Sequence, residues 1–215
     1  MNVLEHIKAH RLVAISRQVY GEDLLKAVEQ VLEGGIAILE ITFDQADPAN
    51  LTLTPDSIRA VKARFGERIC VGAGTVMTVA QAEAAKAAGA DFALAPNTDV
   101  EVIRRMKELG LVAVPGAFTP SEIAAAYAAG ADIVKIFPAS SLGTAYLDAI
   151  RGPINHIPLM AVGGVTPENV RSFFEHGCMS AGIGSAIISK KKAAQGDFKS
   201  MGEAAAAFVS ALNNL

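Results

Sequence analysis

The stretch Thr119–Pro138, TPSEIAAAYAAGADIVKIFP, holds one complete structural unit. Thr119-Pro120-Ser121-Glu122 has the form of a capping box with proline at the first helical position, so a helix starts there. An alanine-rich segment follows. Gly130 ends it in a left-handed conformation that glycine adopts at little cost. Ile133–Phe137 then reads as a short strand, apolar enough to be buried on both faces.

The same order recurs along the chain. Gly34-Gly35 precedes IAILEITF, Gly89 precedes ADFALAP, Gly110 precedes LVAVPG and Gly177 precedes CMSAGIG. Thr98-Asp99-Val100-Glu101 repeats the capping pattern, and Thr54-Pro55-Asp56 and Thr166-Pro167-Glu168 also read as helix starts. Strands are predicted at 12–16, 36–42, 69–73, 92–95, 111–114, 133–137, 159–162 and 179–183. Eight similar strand–helix units predict an α/β fold, a closed parallel (β/α)8 TIM barrel formed by residues 1–215 as a single domain. A doubly wound open sheet is the alternative. It is disfavoured because no GxGxxG turn precedes a helix, and Gly72-Ala73-Gly74 is too short for that fingerprint.

The composition agrees with one enzyme-sized domain. The 215 residues are 51% hydrophobic with a net charge of -3, which excludes a disordered chain. With 19 Lys+Arg against 22 Asp+Glu, no basic excess exists to hold nucleic acid. No apolar run is long enough to span a bilayer. The opening MNVLEHIKAHR lacks the basic-then-apolar pattern of a secretion signal. Cys70 and Cys178 lie in apolar runs and read as reduced, buried thiols of a cytoplasmic protein.

Two strands break their own rule. Glu40 stands in Ile38-Leu39-Glu40-Ile41-Thr42, and Lys135 in Ile133-Val134-Lys135-Ile136-Phe137. Such residues are almost never fully buried unless paired. If both point into the barrel they converge at its mouth, where barrel enzymes do their chemistry. A purely structural ion pair explains them poorly, since apolar replacements of buried pairs are often no worse for stability. A desolvated lysine is partly a free amine and attacks carbonyls to form a Schiff base. A carboxyl group in a partly dry site moves the protons that this chemistry needs. Lys135 with Glu40 therefore suggests an imine-forming aldolase.

Other residues belong to the same rim. Arg17, after the first strand, suits a carboxylate or phosphate. Thr75 follows a Gly-Ala-Gly turn that lets a ligand approach the backbone. The glycine-rich turns Gly163-Gly164 and Gly182-Ile183-Gly184-Ser185 follow the seventh and eighth strands and are expected to lead to helix N-termini, where barrels often bind phosphate. The four histidines show no metal-ligand pattern, and the paired His6 and His10 lack a third ligand.

The pieces GGIAILEIT, VGAGTV, ALAPN, VPGAFTPSE, VKIFPAS and AVGGVTPENV together resemble the bacterial 2-keto-3-deoxy-6-phosphogluconate (KDPG) aldolases. Relatives in that family act on the phosphogalactonate epimer and on 4-hydroxy-2-oxoglutarate. The resemblance implies that Lys135 forms the Schiff base and Glu40 is the general acid/base. It implies that Thr75 and its glycines hold the pyruvyl carboxylate, that Pro96 and Phe137 line the pocket, and that Gly164, Gly184 and Ser185 receive the phosphate. It further implies a homotrimer without metal or other cofactor. One departure stands out: many members carry an arginine where this chain has Asp44, which passes the carboxylate to Arg17 and opens the question of substrate preference. KIFPASSLG with AVGGVTPENV is similar to the phosphogalactonate branch. Two other readings stay open, a phosphosugar isomerase, epimerase or decarboxylase on the same barrel, and a non-catalytic phosphosugar-binding protein.

Overall fold

In the computed structural model, which describes residues 2–212, helices and strands alternate as the sequence predicts. The strands are β1 (Leu12–Ser16), β2 (Ile38–Thr42), β3 (Cys70–Gly74), β4 (Phe92–Leu94), β5 (Val112–Val114), β6 (Gly116–Ala117), β7 (Val134–Ile136), β8 (Leu159–Val162) and β9 (Cys178–Ile183). The helices are α1 (Val3–His10), α2 (Gly21–Glu33), α3 (Asn50–Phe65), α4 (Val79–Ala87), α5 (Val100–Glu108), α6 (Pro120–Ala128), α7 (Ala139–Arg151), α8 (Val170–Glu175), α9 (Lys190–Ala194) and α10 (Lys199–Leu212). Neighbouring strands are parallel, in the order β5-β4-β3-β2-β1-β9-β8-β7-β6.

The two outer members of that order, β5 and β6, are one stretch of chain interrupted at Pro115. Proline has no N–H for a ladder, so β5 pairs with β4 and β6 with β7. Across the gap, the Asp132 N–H donates to the Ala113 carbonyl (3.0 Å) and the Lys135 N–H to the Pro115 carbonyl (2.8 Å). The ring is closed, and the fold is the expected barrel with its fifth strand extended to Ala117 and split.

Four helix ends share one hydrogen-bonded turn. After α2, the Gly35 N–H reaches the Leu32 carbonyl (3.0 Å) and the Ile36 N–H the Val31 carbonyl (3.1 Å). Gly89 and Ala90, Gly110 and Leu111, and Gly130 and Ala131 repeat the pair. This is the Schellman turn, which needs positive φ at its glycine; the four glycines have φ from 70° to 109°. The aspartate of each Gly-Ala-Asp then ties the barrel together. Asp91 accepts the Val71 N–H (3.0 Å) and pairs with Lys62 (2.7 Å); Asp132 accepts the Ala113 N–H (2.8 Å) and pairs with Lys107 (2.6 Å).

The helix starts divide. The capping box at Thr119 and Glu122 is present in full. At the second predicted box the cap is Asp99, whose carboxylate accepts the Glu101 and Val102 N–H groups, because the Thr98 hydroxyl is spent on the Gly116 carbonyl (2.7 Å). Helix α3 starts at Asn50 rather than Thr54: the buried Thr54 hydroxyl donates to the Thr42 carbonyl (3.1 Å), and Pro55 falls inside the helix. Thr166-Pro167 opens a turn, and α8 begins only at Val170.

Side chains alternate across the strands. One set packs on the helices. The other fills the barrel with Val13, Ile15, Ile38, Phe92, Leu94, Val114, Ile133, Met160 and Val162, joined by Ile7 of α1 at the N-terminal end. Removing one such large side chain costs about 2–5 kcal/mol. Glu40 and Lys135 share this inward parity, one step beyond Ile38 and Ile133 along the chain toward the C-terminal mouth.

Candidate active site

Glu40 is 1% exposed and Lys135 5%. Both are held at mid-ladder, Glu40 opposite Ile15 and Gly72 and Lys135 opposite Gly116 and Met160. Burial raises the Glu40 carboxyl above its usual value, partly offset by the positive charges of Lys135 and Arg17. Burial lowers the Lys135 amine, offset by Glu40 and reinforced by Arg17. The two do not close an ion pair, and Glu40 Oε2 has no hydrogen-bond partner among the described residues. The Lys135 ammonium position lies 4.7 Å from the centre of the Phe137 ring, whose face favours the charged form but cannot restore lost water. An amine driven toward its neutral form beside a carboxyl driven toward its acid form is a nucleophile with a proton donor in reach.

Gly74 makes room for this carboxyl. A Cβ at that position would overlap the Glu40 carboxylate. Above it, a cavity of about 220 Å³ is lined by Arg17, Gln18, Phe43, Asp44, Gln45, Thr75 and Pro96. Thr75 has φ +56°, an unusual conformation for a β-branched residue and one found at functional turns. Asp44 does not neutralise Arg17. Its carboxylate accepts from the Gln18 side chain and from the Ala46 N–H (3.1 Å), and Gln18 in turn accepts from Lys190 (3.1 Å). The Arg17 guanidinium therefore faces the cavity with no carboxylate partner among the described residues.

The other half of the rim lies beyond β8 and β9. Gly163 and Gly164 have φ +94° and +71°. The Asn169 side chain fixes their loop, accepting the Thr166 N–H (2.8 Å) and donating to the Gly164 carbonyl (2.9 Å). A Cβ on Gly184 would meet nothing within 4 Å, and Ser185 beside it is exposed. Neither turn runs directly into a helix, contrary to the sequence expectation. Five residues separate Gly164 from α8, and a turn closed by the Ile187 N–H on the Gly184 carbonyl (2.9 Å) precedes α9.

The sequence reading named Arg17, Thr75 and Pro96, which line this cavity, and Glu40, Lys135 and Phe137, which lie close to them. It did not find Gly74, Gln45, Gln81 or Asn169. His6 lies at the opposite end beside Cys70, on a separate cavity of about 620 Å³. Both cysteines are free thiols pushed up to about 12 by burial. Cys70 is only partly buried, because it lines that basal cavity.

The family model described as KDPG and KHG aldolase matches residues 3–204. The 2-dehydro-3-deoxy-6-phosphogalactonate aldolase of Escherichia coli K12 is 37% identical over 81% of this chain and 82% of its own. The 2-dehydro-3-deoxy-phosphogluconate aldolase of Treponema pallidum is 31% identical over 91% and 89%. Among solved structures, KDPG aldolase from Legionella pneumophila, with pyruvate captured as a covalent carbinolamine, aligns with a TM-score of 0.84 at 25% identity over 95% and 97%. The chain belongs to the KDPG and KHG aldolase family and is a Schiff-base aldolase, a lyase.

Proposed function

We propose that this aldolase cleaves a 2-keto-3-deoxy-6-phospho sugar acid to pyruvate and glyceraldehyde 3-phosphate. The observation that carries the reading is a buried lysine and a buried carboxyl, each pushed toward its neutral form, below a cavity that presents an unpaired arginine. In this reading Lys135 Nζ attacks the C2 carbonyl, and Glu40 gives a proton to the carbinolamine hydroxyl as water leaves. Glu40 then takes the C4 hydroxyl proton as the C3–C4 bond breaks, its electrons flowing into the iminium. Protonation of the enamine at C3 and hydrolysis release pyruvate and return the lysine.

Arg17 and Thr75 hold the carboxylate, and Pro96 and Phe137 pack on the pyruvyl carbons. Gly164, Gly184 and Ser185 take the phosphate through backbone N–H groups and a hydroxyl. The freedom of Arg17 from Asp44 supports this assignment. The similarity to the Escherichia coli relative makes the phosphogalactonate acid the first substrate to try, with the gluconate epimer and 4-hydroxy-2-oxoglutarate as competitors.

The chain is further read as a single domain over residues 1–215, a homotrimer and cytoplasmic. Exposed Leu51, Met77, Val100 and Phe118 near the C-terminal ends of the barrel support self-association, and the two free thiols support a reducing compartment. No helix among the described residues is long and apolar enough to cross a membrane.

Borohydride reduction in the presence of pyruvate, followed by intact mass and peptide mapping, tests the function. The expected product is one pyruvyl adduct on Lys135. A folded protein that gains no adduct overturns the reading in favour of an isomerase, epimerase or decarboxylase, or of a phosphosugar binder.

A further inference from the structure

We propose that Gln81 and Gln45 are positioning residues that hold the Thr75 turn in shape for a carboxylate. The proposal rests on the reading of that turn as the carboxylate site. Gln81, on α4, is 4% exposed, which is unusual for a glutamine and calls for satisfied hydrogen bonds. Its Oε1 accepts the Met77 N–H (2.8 Å). A backbone N–H can only donate, so the orientation of the Gln81 amide is fixed: oxygen toward Met77, nitrogen away. Gln81 Nε2 then donates to Gln45 Oε1 (3.0 Å), with Asn50 Oδ1 at 3.5 Å as a weaker second acceptor. That contact orients Gln45 in turn, and Gln45 Nε2 donates to the Thr75 carbonyl (2.8 Å).

The direction of the whole relay is thus set at one backbone N–H and delivered to one backbone carbonyl two residues earlier in the same loop. It ties the loop after β2 to the loop after β3. It ends on the residue whose φ of +56° a threonine does not hold unaided. Gln45 also lines the cavity beside Arg17, so the relay joins the protein interior to the carboxylate site. Chains of aligned amides polarise one another, so breaking either link weakens the other. Loss of the relay lets the Thr75 turn relax and moves its hydroxyl away from the position that faces the substrate.

The test uses the full chain and pyruvate trapping, with Lys135 and Glu40 intact. Gln81→Met keeps the volume and removes both polar ends; Gln45→Met does the same at an exposed position. Each raises the pyruvate concentration for half-maximal trapping about five- to tenfold, the scale of one lost hydrogen bond. The amount trapped at saturation stays unchanged. Preference for pyruvate over the uncharged pyruvamide falls by the same factor. The double variant is no worse than either single one, because both sit on one relay. Gln81→Glu does not rescue, since a carboxylate cannot donate to Gln45 Oε1. A role in stability alone lowers the melting temperature but leaves half-saturation and the pyruvamide ratio at wild-type values, and that result overturns the proposal. Wild-type protein that traps no pyruvate removes the underlying site reading, and this proposal with it.

Discussion

Gly74 and Glu40 occupy one volume between them: a Cβ on Gly74 would coincide with the carboxyl group of Glu40. The glycine of β3 is thus part of how β2 aims its acid. Gly74→Ala is expected to fold, since Glu40 can swing away, and to lose about 10²-fold in kcat, as small misplacements of catalytic groups do. Circular dichroism alongside steady-state cleavage checks it; near-normal kcat would refute the relationship.

Burial pushes the Glu40 carboxyl up and the Lys135 amine down, so the two ionisations are displaced toward one another and titrate as one coupled system. Imine formation is therefore expected to follow a bell-shaped pH profile that reports the pair rather than either group alone. The positive charge of Arg17 lowers both groups, so at saturating pyruvate Arg17→Met moves both limbs to higher pH. Limbs that stay put, or move to lower pH, contradict the assignment.

The same shifts set a stability cost. Glu40, raised in the fold, contributes stability at pH below its unfolded pKa and loses it as pH rises through the folded value. Lys135, lowered in the fold, contributes above its unfolded pKa and loses it as pH falls through the folded value. At neutral pH neither contribution is complete. Glu40→Leu with Lys135→Met is expected to stabilise the protein at pH 7, because two buried groups whose charged forms have lost their water are replaced by apolar side chains. Urea unfolding measures it, and a lower midpoint sinks the claim.

If the Gly164 loop takes the phosphate as proposed, Asn169 acts on that end alone. Asn169→Ala removes two hydrogen bonds that shape the Gly164 loop and is expected to raise KM for a phosphorylated substrate about tenfold. Pyruvate trapping on Lys135 should be unaltered. Equal losses in both assays would show that the loop is merely part of the fold.

The chain order, the glycine turns and the two misplaced charges were legible because each violates or completes a local pattern. A lysine amid Ile and Val has few explanations, and a glycine before an apolar run has a geometric one. The helix starts at Thr54 and Thr98 misled because a hydroxyl that fits a cap equally fits a distant carbonyl, and only the fold shows which it takes. Gln45, Gln81 and Asn169 were invisible for a related reason. In sequence, an amide in a loop or in a helix's first turn looks solvated; the partners of these three lie 30 or more residues away or on backbone atoms that carry no sequence signature. Asp44 read only as a charge change that bears on substrate preference, and the sequence did not show that its carboxylate accepts from Gln18.

The interruption at Pro115 looks like the seam of the barrel, yet the polypeptide meets a different difficulty there than a drawing suggests. Residues 113–117 and 132–137 are neighbours along the chain, so bringing them together closes only a short loop. The unbroken pairing of β1 with β9, Leu12 with Ala181, joins nearly opposite ends of the chain and carries the largest loop-closure entropy. The ring is therefore expected to form last at the β1–β9 ladder, away from the interruption at Pro115. Until that late step the nascent protein exposes two unpaired strand edges, β1 and β9, to other chains.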